Sequence, residues 1–564
     1  MNKYLKYNPQ DRKIAYFSLE IGLSAQLPTY AGGLGILAGD TIKSFADLKV
    51  PAVAVSLLNE KGYFYQQLDQ DGNQTEVDTN WNHRDYMTKL SDKIIVNLEG
   101  RDILVQAWVY EVNGLTGGVV PVIFLDTNLD ANQEQDRAIT KHLYGGDRRY
   151  RLMQEALLGI GGVRILQILD HENLQAYHMN EGHSALLTLE LMDRYKNDLE
   201  RVRELCVFTT HTSVAAGHDS FDIELARSVL RNFCDVETLK HDNIIDQNNK
   251  LNMTYLALHH SKYINGVAKK HGEVSQKMFP GYSIDAITNG IHTRTWVSDA
   301  MSEVFDRHLP SWRNDPYTLR NVLNISRDEI WRAHEKAKKT LIDYVNGQYS
   351  SGMDYDTLTI GFARRATAYK RADLLFSDIE RLKKIVAEKG KIQIIYGGKA
   401  HPSDGQGKDF IRKIFKHIKE LKGTIHVEYI QNYEMYTAKL MVSGCDIWLN
   451  TPLRPREASG TSGMKAAVNG VLNFSVLDGW WLEGHIEDYT GWSIGPRPKD
   501  KEEETDHIAD VEDLYNKLEN KIIPLYYEDK TWWNEMMAQN IALNGSFFNT
   551  HRMVSQYVMQ AYYQ

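Results

Sequence analysis

RPREASGTSGMKAAVNGVLNFSVLDGWW, residues 454–481, contains one complete turn, helix and strand unit of an α/β protein. An apolar run at 445–449 leads into it. Glu457 then opens a string of small residues, Ala458, Ser459, Gly460, Thr461, Ser462 and Gly463; Lys465 follows, and a second apolar run occupies 471–477. Small residues let a backbone close on a bound group. Ser and Thr ahead of an Ala-rich segment mark a helix start, and the free N–H groups of such a start suit a phosphate. A lysine one turn in can donate to that phosphate or bond a carbonyl carbon. On spacing alone, a capped surface helix with a solvated lysine is the simpler reading.

The same alternation extends outward. Apolar runs at 357–362, 392–396 and 425–430 are each followed by a polar loop and a helical pattern, and 329–345 and 507–564 read as helical. In the first half, runs at 14–18, 50–58, 176–179, 205–208 and 283–288 alternate with helices, the longest at 148–169, and 93–125 is locally rich in strands. Gly32, Gly33 and Gly35 head an amphipathic pattern through Leu48, the opening of a doubly wound unit; the spacing is not G-x-G-x-x-G, so no dinucleotide site is assigned. The predicted fold class is α/β, with two Rossmann-like doubly wound domains, residues 1–292 and 293–564, facing across a catalytic cleft, and the final helices returning to the N-terminal domain. Residues 62–66 read as a loop, 128–147 as a polar loop over a site, 298–328 with its two prolines as irregular, and 497–506 as a solvated charged loop.

A chain of 564 residues exceeds one core. A hydrophobic content of 42% and a charged content of 25% are globular values, and a net charge of −9 argues against a nucleic-acid partner. Cys206, Cys234 and Cys445 have neither metal nor disulfide spacing. His178, His183, His211 and His218 are spaced irregularly, so no metal is expected. The first thirteen residues lack the apolar centre of a signal peptide, and 156–169 is too short to span a bilayer; the expected location is cytoplasmic, with no membrane partner. Arg364, Arg365, Lys370 and Arg371 follow one strand and Lys399 the next. In one parallel sheet these cations converge. Held close and unpaired they repel, which predicts an anion among them, two phosphates or one phosphate beside another anion.

At this point the sequence resembles the α-glucan (glycogen, starch and maltodextrin) phosphorylases, GT-B glycosyltransferases that carry pyridoxal 5′-phosphate. The resemblance runs from about Tyr16 to Gly479 and rests on YFSLE (16–20), GGLG (32–35), MNEGH (179–183), TTHT (209–212), TNGI (288–291), ARRATAYKR (363–371), GGKA (397–400), QNY (431–433) and EASGTSGMK (457–465). It implies reversible phosphorolysis of an α-1,4-glucan by orthophosphate, giving glucose 1-phosphate with retention. Lys465 becomes the lysine that binds the cofactor aldehyde, and Gly33, Arg364, Thr461 and Tyr433 its further contacts. Orthophosphate falls to Arg365, Lys370 and the Gly33 backbone. The terminal glucose falls to Gly32, Leu34, His211 through its carbonyl, Asn289, Tyr369, Glu457, Ser459 and Gly460. Lys465, Arg365, Lys370 and His211 carry the catalytic roles, and a homodimer is implied. Arg364 stands where larger relatives have lysine, Ser462–Gly463 where the familiar form has Gly–Asn, and Glu181 where it has the shorter acid, which leaves the pairing of Glu181 open. With YFSLE starting at Tyr16, no control through a long N-terminal arm is expected. The rival is a nucleotide-sugar glucan synthase of the same fold. It requires a lysine at Tyr30 and a glutamate at Lys465, and neither is present. An amino-acid enzyme sharing the cofactor lacks this motif order, and a glucan-binding protein with a decayed site would not keep all the polar positions filled.

Overall fold

The computed structural model describes residues 7–214, 217–497 and 506–563. Ala215, Ala216, most of the 497–506 run and the first six residues of the N-terminal stretch lie outside the described residues. Two compact units are present. The first takes the chain up to Phe64, Asp78–Thr288 and the residues from Met553 on; the second takes Tyr65–Val77 and Asn289–Arg552. The sequence suggests a break after residue 292 with the final helices returning to the N-terminal domain; the chain passes between units after Phe64, Val77, Thr288 and Arg552.

A nine-stranded sheet carries the first unit. Ile14–Phe17 lies between Ala52–Leu57 and Ala176–Asn180, parallel to both. Cys206–Thr209, Tyr263–Gly266 and Asp285–Ala286 extend one side in parallel. Val119–Asp126 continues the other in parallel, and Arg101–Asn113 and Thr88–Leu98 close it antiparallel. Strands covered on both faces must be apolar throughout, and Ala52–Leu57 is buried at every position. Side-chain alternation sends Ala15 and Phe17 into one core and Ile14 and Tyr16 into the other. The second core also takes Leu37, Ile42 and Phe45 of the helix Gly33–Asp47, and Met553, Val554, Tyr557 and Tyr562 from the chain end.

The second unit is a six-stranded, all-parallel sheet. Its spatial order is His426–Ile430, Ile392–Gly397, Leu358–Ala363, Ile447–Asn450, Leu472–Val476 and Gly491–Ile494. Numbered within the unit this is 3-2-1-4-5-6, the Rossmann order, which reverses between Leu358–Ala363 and Ile447–Asn450. In the first unit the reversal falls between Ile14–Phe17 and Ala176–Asn180. Such reversals open a crevice beyond the strand carboxyl ends, where ligands bind.

Three readings need correction. Residues 298–328 are mostly helical, Asp299–His308 capped by Ser298, then a 3-10 stretch Pro316–Asn324; Pro316 starts a helix here, since a first-turn proline sacrifices no hydrogen bond. The segment read as a loop at 62–66 runs into a hairpin, Tyr65–Leu68 against Gln74–Val77. Amide side chains clamp that hairpin to the second unit. Gln66 Nε2 donates to the Gly398 carbonyl at 2.9 Å, Gln74 Nε2 to the Ala400 carbonyl at 2.9 Å, and Asn432 N to Gln66 Oε1 at 3.0 Å. The polar 128–147 segment carries a helical turn, Glu134–Arg137, whose Asp136 is held by Arg101 at 2.7 Å. No helix among the described residues is long and apolar enough to cross a membrane.

Candidate active site

At the reversal in the second unit, Leu358–Ala363 runs straight into Arg364 and Arg365, and Ile447–Asn450 into the loop bearing Glu457. Glu457 Oε2 accepts from Arg364 Nη2 at 2.7 Å and from Lys370 Nζ at 2.5 Å. Burial pushes the Glu457 carboxyl up, but the two cations outweigh it and hold the group down at about 2. Arg371 meets Asp510 at 2.7 Å and donates to the Thr451 and Pro452 carbonyls. The expectation of unpaired cations is thereby corrected. Carboxylates 87 and 139 residues downstream of Lys370 and Arg371 answer them, and the first of these also pairs with Arg364. Arg365 is exposed and, among the described residues, in no ion pair. Lys399, after the neighbouring strand, is lowered by burial to about 8 against the pull of Glu434.

A turn at 478–480 braces the Glu457 loop from behind. Asp478 Oδ2 accepts from Glu457 N at 2.8 Å, Asp478 Oδ1 from Gly479 N at 2.9 Å, and the Ser459 carbonyl from Trp480 N at 2.9 Å. Gly479 has φ 55°, and a Cβ there would stand 2.3 Å from the Ser459 carbonyl oxygen, so the approach requires glycine. Burial raises the Asp478 carboxyl from 3.8 to about 7. Below 3.8 both folded and unfolded states hold the proton; between 3.8 and about 7 only the unfolded state releases it, so this group's contribution to stability falls as pH rises. Asp478→Asn is expected to lose less stability than the wild type between about pH 5 and about pH 8, read as urea midpoints at both values. A difference between the two proteins that does not change with pH counts against this account.

Lys465 belongs to the short helix Ser462–Ala467 and is 7% exposed. Its Nζ lies 3.8 Å from the centre of the Trp296 ring, and Asn469 Nδ2 donates to the carbonyls of both Lys465 and Trp296 at 2.9 Å, tying the two together. Thr461 immediately precedes this helix and Gly460, at φ 79°, precedes Thr461. Tyr433 packs against Gly397, at which a Cβ would come 3.0 Å from the ring. The Tyr369 ring lies 4.2 Å from Lys370 Nζ, and the Asn289 carbonyl accepts from Arg552 at 2.9 Å. Thr367 Oγ1, Asn450 Oδ1, Ser459 Oγ and Asn289 Oδ1 are buried without a hydrogen-bond partner among the described residues. Buried polar atoms normally find one. Hydroxyls and amide oxygens left open on the same strand-end loops as Arg364, Lys370 and Glu457 suit a polar ligand, and the cations suit its phosphate.

In the first unit Gly32 caps the helix whose first residues are Gly33 and Leu34. Glu20 Oε2 accepts from Ala31 N at 2.6 Å and Gly32 N at 3.1 Å, and Glu20 Oε1 from Tyr144 Oη at 2.8 Å. At that unit's own reversal Glu181 has φ 75° and ψ 165°, a region almost reserved for glycine and costing about 1–3 kcal/mol. Glu181 Oε2 accepts from His211 N at 2.7 Å and Thr212 Oγ1 at 3.0 Å, and His211 Nε2 lies 2.7 Å from Asn180 Oδ1. Burial lowers the His211 imidazole to about 3, keeping the ring neutral.

Of the residues singled out in the sequence, Arg364, Lys370 and Glu457 are in direct contact, Tyr369 lies against Lys370, and Ser459, Gly460, Thr461 and Lys465 continue the same loop and helix. Gly32, Gly33, Leu34 and His211 belong to the first unit. Sequence reasoning assigns nothing to Glu20, Asp478 or Asp510. The signal that could have found Asp478 is its place just beyond the carboxyl end of Leu472–Val476, where α/β sheets gather functional side chains.

A family model described as carbohydrate phosphorylase matches residues 128–491. A maltodextrin phosphorylase of Thermococcus litoralis is 39% identical over 99% of this chain and 71% of its own length. A glycogen phosphorylase of Aquifex aeolicus is 35% identical over 100% of this chain and 88% of its own, and one of Mycobacterium tuberculosis is 33% identical over 97% and 70%. With relatives aligned over almost the whole of this chain and the matched region taking in Arg364, Glu457 and Lys465 alike, the chain belongs to the carbohydrate phosphorylase family.

Proposed function

We propose that the protein is a cytoplasmic, homodimeric α-1,4-glucan phosphorylase. It transfers the non-reducing-end glucose of a glycogen or maltodextrin chain to orthophosphate, yielding α-glucose 1-phosphate, with pyridoxal 5′-phosphate as cofactor. The observation that carries this reading is the grouping of Arg364, Lys370 and Glu457 at the reversal of a Rossmann-order sheet, on the loop that leads to Lys465. Lys465 would anchor the cofactor, with Arg364 and Thr461 toward its phosphate and Tyr433 beside it. When bound, the cofactor supplies a phosphate that exchanges a proton with the substrate phosphate. In net terms the bond from glucose C1 to the glycosidic oxygen breaks, that oxygen takes the proton, and C1 bonds a phosphate oxygen on the same face.

Arg365 and Lys370 offset the charge of the incoming phosphate, a stabilisation worth most where water is excluded. Glu457, accepting from Arg364 and Lys370, fixes where those cations stand and is oriented in turn by Asp478. Gly32, Leu34, Asn289, Tyr369, Ser459, Gly460 and the His211 carbonyl hold the sugar. The test is to incubate the protein with maltodextrin and orthophosphate and measure glucose 1-phosphate; product formation only from a nucleotide sugar would instead establish the synthase reading. Arg365→Ala, which removes an exposed cation in no ion pair among the described residues, is expected to raise the KM for orthophosphate at least about tenfold while leaving stability within about 0.5 kcal/mol. An unchanged phosphate dependence would remove Arg365 from the site.

A further inference from the structure

Glu181 is the terminal acid of a strand that ends at the reversal of the first unit's sheet, and its backbone is held where residues with a side chain rarely go, at φ 75° and ψ 165°. Glycine would relax that conformation, so the side chain must do something glycine cannot. Both carboxylate oxygens are engaged. Oε1 accepts from Gly182 N at 2.9 Å, and Oε2 accepts from His211 N at 2.7 Å and Thr212 Oγ1 at 3.0 Å. Its neighbour Asn180 holds the other end of the same residue, with Oδ1 2.7 Å from His211 Nε2. Two consecutive residues of one strand end therefore grip His211 by main chain and by ring, across from the parallel strand Cys206–Thr209.

We propose that Glu181 is a positioning residue for the glucan side of the reaction: its strained backbone aims the carboxylate at His211 N and Thr212 Oγ1 and so fixes the direction of the His211 carbonyl. This rests on the phosphorolysis reading, in which that carbonyl faces the sugar. With its two oxygens occupied by three donors, Glu181 acts through His211 and does not itself exchange a proton with substrate. The longer acid suits this task. A side chain leaving a strained strand end must reach a neighbouring strand's continuation, and the additional methylene supplies that reach.

The test compares the full-length holoenzyme with Glu181→Gln, which keeps size and shape but puts an amide nitrogen against one set of donors, and Glu181→Gly, which relaxes the backbone and removes the grip. Maltodextrin and orthophosphate are varied separately. Both variants are expected to fall roughly 10- to 100-fold in kcat/KM for maltodextrin, while the KM for orthophosphate, whose proposed side-chain ligands Arg365 and Lys370 lie in the other unit, stays within about twofold. Thr212→Val, which deletes one of the two distant partners, is expected to move the same parameter less. Equal losses toward both substrates in Glu181→Gln would indicate a merely structural role and overturn the proposal, as would a folded Glu181→Gly with undiminished maltodextrin kcat/KM. A wild type that forms no glucose 1-phosphate overturns the functional reading itself, and the inference with it; an active wild type with unaffected variants overturns the inference alone.

Discussion

Lys465→Ala is expected to lose glucose 1-phosphate formation by a factor of at least about 1,000 and to be purified without the absorbance of bound cofactor. The lysine is 7% exposed and held over Trp296 by the Asn469 bridge, so its amine is aimed by packing rather than left to solvent. Alanine is a good helix former, and the side chain it replaces faces an aromatic ring and not a core of aliphatics, so the fold should persist. Lys465→Arg separates the two things a lysine can offer. Arginine keeps a positive charge but has no amine able to bond an aldehyde carbon. Rescue by arginine would mean that the charge alone matters and would end the anchoring role.

The second large effect lies away from the site. Asp446→Ala is expected to destabilise the second unit by about 3–5 kcal/mol, read as the urea midpoint of the unfolding transition. Asp446 is fully buried and accepts from Lys338 Nζ at 2.6 Å, His334 Nε2 at 2.9 Å and Thr359 N at 2.7 Å. Lys338, 2% exposed at its side chain, also donates to the Thr357 carbonyl at 2.8 Å and to Tyr526 Oη at 3.0 Å. Removing the carboxylate strands an ammonium in the interior. Replacing both partners, as in Lys338→Met with Asp446→Leu, should cost far less, because no charge is then left unpaired. Burial raises the Asp446 carboxyl, but Lys338 and His334 outweigh it and hold the group at about 2. Its contribution is therefore complete above its ordinary value of 3.8 and drains away as pH falls toward about 2, so the gap between wild type and Asp446→Ala should close on acidification. A gap independent of pH, or a double variant as unstable as the single one, would show that the ion pair is not what holds this corner.

Most strands of both sheets are legible in the sequence because a strand covered on both faces demands an apolar run, and Ala52–Leu57 and Ile392–Gly397 are buried at every position; Tyr263–Gly266 and Gly491–Ile494, short and interrupted by polar residues and glycine, are not. The hairpin Tyr65–Leu68 with Gln74–Val77 is not legible, since its stability comes from Gln66 and Gln74 meeting backbone 332 and 326 residues away. Pro310 and Pro316 make 298–328 look irregular, and local pattern does not reveal that one of them opens a helix. In the site, the cations after Leu358–Ala363 stand out in the sequence, but their balance does not. Pairing with Glu457 and Asp510 is a property of strand order, which brings together loops that the chain keeps far apart. Glu181 shows the same limit. Its identity is readable from MNEGH, its backbone strain only from the fold.

The chain end has a bearing on biosynthesis. Tyr562 Oη lies 2.7 Å from His178 Nδ1, Tyr557 Oη accepts from Asn265 at 3.1 Å, and Met553 and Val554 fill the core that Ile14 and Tyr16 begin. The unit whose strands come first in the chain thus lacks part of its interior until residues 553–562 are made. The unit between, drawing on Tyr65–Val77 but otherwise continuous from Asn289 to Arg552, can close earlier. Completion of that core therefore waits on Met553–Tyr562, which are made after the rest of the first unit.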